Sequence, residues 1–122
     1  MFQKMLQGGG GASSFQFSTE EQKTNLKWFG KDVYCKGFDI SSSSTNVTVS
    51  TVSSLGADNV LDVYGIIKRS GTQVNEISIT HTDKDGLNYA STWVRYADNI
   101  IISCGSDINP KEYIGVIFYT KS

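Results

Sequence analysis

The stretch Tyr113-Ile114-Gly115-Val116-Ile117-Phe118-Tyr119-Thr120-Lys121 is apolar at nearly every position before its last two residues. It is short for a helix, and its β-branched and aromatic content favours an extended strand. Neither side of such a strand suits water, so it belongs in the interior of a sheet, covered on both faces. The rest of the chain has to supply neighbours for it.

Those neighbours are legible as further strands. Leu26-Lys27-Trp28-Phe29 and Val33-Tyr34-Cys35 flank Gly30-Lys31-Asp32, a hairpin signal in which glycine supplies the turn. Trp28 is expected to close the core beside this hairpin, and the second arm to run on towards Phe38 and Ile40. A serine loop at 41–44 leads to Val47, Val49 and Val52, a strand with one buried face and a register break near Thr51. Gly56-Ala57-Asp58-Asn59 is read as a turn into residues 60–67, apolar on both faces apart from Asp62 and so placed well inside a sheet. Residues 68–72 turn again, and residues 73–81 alternate, with Ile77 and Ile79 opposite Glu76, Ser78 and Thr80. Asp83-Lys84-Asp85-Gly86 ends that strand. Residues 87–95 form the next, with Leu87, Tyr89, Ser91, Trp93 and Arg95 on one face. Tyr96-Ala97-Asp98-Asn99 turns the chain into Ile100-Ile101-Ile102-Ser103-Cys104, and a loop at 105–111 carries Pro110, the single proline. About eight strands with turn signals every eight to twelve residues predict an all-β fold, an antiparallel β-sandwich of jelly-roll type.

Ahead of the strands, residues 1–7 can form a helical turn at most, because nucleation is unfavourable in so short a segment. The unbroken run Gly8-Gly9-Gly10-Gly11 and then Ala12-Ser13-Ser14 has the composition of a flexible linker. The domain organisation is therefore a terminal segment and linker over residues 1–14 and one β domain over residues 15–122. Asn46-Val47-Thr48 matches the glycosylation triplet, which has meaning only in a secreted eukaryotic protein.

Composition excludes several classes of function. With 11 basic and 12 acidic side chains and no block of either sign, the chain lacks the basic footprint that nucleic acid or an anionic membrane requires. No apolar run reaches the roughly 18 residues of a membrane span, and residues 1–7 lack the apolar stretch of a secretory leader. Cys35 and Cys104 are the two cysteines and His81 the single histidine, so neither a CxxC site nor a multi-histidine metal site is available. Two buried free thiols are expected. His81 has no nucleophile motif beside it, and Asp58, Asp62, Asp83, Asp85, Asp98 and Asp107 fall mostly where aspartate serves turns. Asp83-Lys84-Asp85-Gly86-Leu87-Asn88 resembles a calcium loop but lacks the downstream bidentate glutamate. No enzyme activity, cofactor or metal is expected.

Binding of a sugar asks for an aromatic face against pyranose C–H groups with polar groups nearby for the hydroxyls. The best local cluster is Trp93, Arg95, Tyr96, Asp98 and Asn99. The competing reading puts Trp93 in the core, because it shares a strand face with Leu87 and Tyr89.

Two short motifs add a resemblance. Phe17-Ser18-Thr19-Glu20-Glu21, followed by Trp28, Gly30-Lys31 and Val33-Tyr34, resembles the opening of a family of C-terminal domains on phage and prophage tail fibre and baseplate proteins. That opening reads aromatic-Ser-Thr-Glu-Glu and then Trp-Ile-Asp-Gly-Lys-Pro-hydrophobic-Tyr. The family's close, a hydrophobic strand and Tyr-Thr-Lys, is matched by Tyr119-Thr120-Lys121, and residues 89–103 are similar to its late hairpin. Phe29 stands where the family has Asp, and Asp32 where Pro is common, which alters the turn type within the same hairpin. The resemblance spans residues 17–122 and implies a virion tail module, made in the bacterial cytoplasm without a signal peptide. It implies host cell-surface glycan and other tail proteins as partners; a homotrimer would be natural on a fibre, since several weak sugar sites gain by avidity, and the composition gives no membrane insertion. The alternatives are a structural tail module without a receptor, and a small glycan hydrolase. The shared motifs nominate no residue for sugar contact.

Overall fold

The computed structural model of the 122-residue chain describes residues 16–70, 76–78, 92–96, 98–105 and 108–121, with backbone alone at 76–78 and 92–96. In order these form β1 (Gln22–Trp28), β2 (Lys31–Ser41), β3 (Asn46–Thr51), α1 (Val52–Leu55), β4 (Ala57–Arg69), β5 (Glu76–Ser78), β6 (Thr92–Tyr96), β7 (Asn99–Cys104) and β8 (Pro110–Lys121). The fold is all-β. A five-stranded sheet runs β1-β2-β8-β4-β5 and a three-stranded sheet runs β3-β7-β6, and each strand pairing is antiparallel.

The expected interior strand is β8, at the centre of the larger sheet. Its side chains are buried on both faces. Tyr113, Ile117 and Tyr119 join the cluster that contains Val63 and Ile67 of β4 and Val47, Ile100 and Ile102 of the smaller sheet, with Leu55 of α1. Val116 and Phe118 face the other way and pack with Val33, Cys35, Leu26 and Leu61. Each fully buried aromatic or aliphatic side chain contributes about 1.5–3 kcal/mol. β8 begins earlier than the sequence suggests. Pro110 is its first residue rather than part of a loop, a place where the missing N–H is tolerated.

Backbone meets backbone where β4 crosses β8. Gly65 lies opposite Gly115, and a methyl group on Gly115 would stand 2.4 Å from the Tyr64 carbonyl oxygen and 2.7 Å from Cζ of Phe38. Gly115 leaves the space that the Phe38 ring takes, and the Gly65 Cβ position is closed by the backbone of Ile114 and Gly115.

Three local expectations are corrected. The first hairpin turns on Phe29-Gly30, not on Gly30-Lys31-Asp32: Trp28 pairs with Lys31, and both turn residues have positive φ, 47° and 80°. Positive φ at both positions is the type I′ geometry, one of the two that match the twist of strands joined by a two-residue loop. Second, Val52 does not extend the strand of Val47 and Val49. The strand bulges at Val49, and Thr51 caps a single helical turn, its Oγ1 accepting the Ser54 N–H at 3.1 Å. Third, the turn expected at Gly56-Ala57-Asp58-Asn59 shrinks to Gly56, whose left-handed φ of 65° ends α1. Ala57 and Asn59 already pair with Lys121 and Thr120.

Cys35 and Cys104 are both free and buried, as expected. They belong to clusters on opposite faces of the larger sheet. The linker at 1–14, the turn at 83–86, His81, Asp107 and most of the strands expected at 73–81 and 87–95 lie outside the described residues.

Candidate functional site

The sequence-derived cluster falls on one hairpin. β6 and β7 pair from Thr92 opposite Cys104 to Tyr96 opposite Ile100, which sets Trp93 opposite Ser103 and Arg95 opposite Ile101. Among the described residues β6 is an edge strand of its sheet. The side chains of Trp93, Arg95 and Tyr96 lie outside the described residues, whereas Asp98 and Asn99 are exposed at the hairpin tip. That tip is anchored. The Asp98 carbonyl accepts the Val52 N–H at 2.7 Å, Asn99 pairs with Thr51, and Ile100 and Ile102 behind it are fully buried. Carboxylate and carboxamide together offer acceptors and donors to a ligand's hydroxyl groups from a fixed position.

A second exposed tip was not anticipated. Trp28, expected in the core, is 37 % exposed, and Phe29 beside it is 88 % exposed. Their rings meet edge to face, centroids 5.0 Å apart and planes at 88°. Around them lie two ion-paired groups. Asp32 bonds Lys27 and lies 3.2 Å from Lys23; the hydrogen bonds from these two ammonium groups hold its carboxyl below the ordinary value. Lys31 pairs with Asp58 at the start of β4. The signal that could have found this tip is the spacing of Gly30: with Trp28 paired to Lys31, an aromatic must sit at the turn and point away from both sheets.

The two tips share one end of the molecule, as the register shows. Thr51 pairs with Asn99, α1 follows Thr51, Ala57 pairs with Lys121, and Thr120 pairs with Val33 two residues into β2. One end therefore carries Asp98 and Asn99, α1, and the Trp28-Phe29 pair.

Near that end, on the inner face, the residues quoted from the opening and closing motifs meet. Tyr119 donates to one carboxylate oxygen of Glu21 and Lys121 to the other at 2.8 Å. Tyr34 stacks on Tyr119 with Lys121 5.0 Å above its ring. Burial opposes the charge on Glu21, but the hydrogen bonds from Lys121 and Tyr119 and the nearby Lys36 outweigh it and hold the carboxyl below its ordinary value. Burial pushes the Tyr119 phenol well above its usual range, and the Glu21 charge adds to the effect.

On the outer face, Asp39 and Glu112 share a hydrogen bond, which raises the Glu112 carboxyl, with Lys68 4.0 Å away. Burial pushes the Cys35 thiol up to about 11, out of the nucleophilic range. Among the described residues no group of three or more His, Cys, Asp or Glu side chains could hold a metal ion, and no helix is long and apolar enough to cross a membrane. No protein-family model, curated protein or solved structure matches the chain.

Proposed function

We propose that this chain is a non-catalytic module of a phage or prophage tail that binds host-surface carbohydrate, folded as an antiparallel β-sandwich of jelly-roll type. The observation that carries the reading is the anchored, outward tip of the β6–β7 hairpin, where Asp98 and Asn99 are exposed on a backbone fixed by Val52. Trp93, Arg95 and Tyr96 lie on the same hairpin. Weak single sites of this kind gain from repetition, so presentation as a trimer beside other tail proteins suits the role. The meeting of Glu21 with Tyr119 and Lys121 supports a shared structural frame for the two motifs that resemble the tail family.

The test is sedimentation of the purified, artificially trimerised protein with bacterial cell envelopes from a broad panel, with free monosaccharides as competitors. Binding released by a sugar is expected, as is its loss on replacing Asp98 and Asn99 together by alanine. Because both side chains are exposed, the melting temperature should not move. Protein that stays in the supernatant with every envelope overturns the reading.

The outer face favours a second reading, a structural tail module. The Phe17 ring takes the space a Gly37 side chain would fill, 2.8 Å from that Cβ position. Gly37 pairs with Val116, and Val116 with Tyr64. This row ends in two exposed rings, Phe17 at 48 % and Tyr64 at 39 %. On this reading the protein binds tail proteins and no envelope.

A further inference from the structure

We propose that Trp28 and Phe29 form a second stacking corner for a pyranose ring, on the β1–β2 tip at the same end as the β6–β7 hairpin. The inference rests on the carbohydrate reading and adds a separate contact to it.

Phe29 occupies a turn position with φ of 47°, where a side chain on Cβ crowds the backbone and Gly, Asn or Asp is the normal occupant. Its ring is 88 % exposed, so burial does not repay the strain. A residue that suits neither the turn nor the core is most simply explained by what it meets outside the molecule.

Two rings at 88° with centroids 5.0 Å apart make a corner with one flat face on each side. Aromatic faces carry negative potential and attract polarised C–H groups. A pyranose presents such groups on its face and hydroxyls around its edge. At the rim, the Lys27–Asp32 and Lys31–Asp58 pairs hold ammonium donors and carboxylate acceptors in place, so little ordering is needed when hydroxyls bond to them.

Two side chains cover far less than the roughly 800 Å² per partner of a stable protein interface, but they match one or two sugar rings. Lys23, Lys27 and Lys31 face Asp32 and Asp58, an excess of one positive charge, short of the roughly four to eight basic residues that draw a segment to an anionic membrane.

Phe29→Asn is the decisive variant, since it removes the ring and installs a residue that the turn prefers. The fold should be kept, with an unchanged or higher melting temperature. Sugar-reversible sedimentation with the envelopes that retain the wild type should weaken about tenfold, and Trp28→Ala should weaken it similarly. Wild-type binding that survives both substitutions overturns the corner and leaves the β6–β7 contact standing. Absence of wild-type binding to every envelope overturns both proposals together.

Discussion

The phenol of Tyr119, on the central strand β8, donates a hydrogen bond to the carboxylate of Glu21, 98 residues earlier and just before β1. Tyr119 is fully buried, and Lys121 and Tyr119 together hold the Glu21 carboxyl below its ordinary value. This carboxylate joins the segment ahead of the edge strand to the middle of the sheet, beside the Gly37 N–H that donates to the Ser18 carbonyl at 2.8 Å.

Removing the hydroxyl with Tyr119→Phe should cost about 1 kcal/mol in chemical denaturation, at the lower end for a charged hydrogen bond because Glu21 is partly exposed. The pH dependence has a definite sign. The folded-state value of Glu21 lies below the ordinary 4.5, so its stabilisation is present above that value and lost as pH falls through the depressed one. Denaturation of Glu21→Gln across pH 2–7 should show a flatter acid limb than the wild type.

Thr120 carries a fully buried hydroxyl whose Oγ1 finds no hydrogen-bond partner among the described residues. Valine has nearly the same shape without the unmet polar atom. Thr120→Val should stabilise the fold by about 1 kcal/mol, read as a higher denaturation midpoint with an unchanged slope.

What could be read in advance, and what could not, divides along physical lines. β8 and β4 were legible because continuous apolar, β-branched runs have few other uses. The hairpin around Gly30 was legible too, but its turn was displaced by one residue, because Phe29 contradicts the preference that normally marks the first turn position. α1 was hidden: Val47, Val49 and Val52 suggest one continuing strand, and four residues are too few to show a helical period. Trp28 was misplaced because hydrophobicity states only that a ring gains from being covered, not what covers it. For the candidate site, the sequence collected five residues that do share one hairpin. It had no means of seeing that register brings the β1–β2 tip to the same end.

Gly115→Ala should be among the most damaging small substitutions. Its new methyl group would lie 2.4 Å from the Tyr64 carbonyl oxygen and 2.7 Å from the Phe38 ring. The first neighbour is backbone in the adjoining strand and cannot swing aside. A loss of about 2–3 kcal/mol is expected, visible as a lower melting temperature, whereas alanine at Gly30, with no atom within 4 Å of its Cβ position, should register only the strain of its positive φ.

Glu112 should titrate in the direction opposite to Glu21. The hydrogen bond it shares with Asp39, then burial and the Asp39 charge, raise its carboxyl above the ordinary 4.5 against the pull of Lys68 and Lys111. Its folded form binds a proton that the unfolded chain has released, so this contribution to stability is complete below 4.5 and disappears as pH rises through the raised value. Carbon-13 NMR of the side-chain carboxyls should place the Glu112 midpoint above 4.5, and Asp39→Asn should bring it back down.

Between β2 and β4 the sheet holds one strand-wide slot, and β8 fills it, hydrogen-bonded along both sides. A chain that has emerged only as far as β7 has two facing edges with unpaired N–H and C=O groups. The slot recognises a backbone and a pattern of side chains, not ownership, so β8 from a second copy fits it as well as the chain's own. Exchange of that one segment would keep every hydrogen bond of the isolated domain while threading protomers through one another. The centrality of β8 thus makes strand trading between copies the characteristic misassembly of this topology, and the most economical route by which it could become an interlocked oligomer.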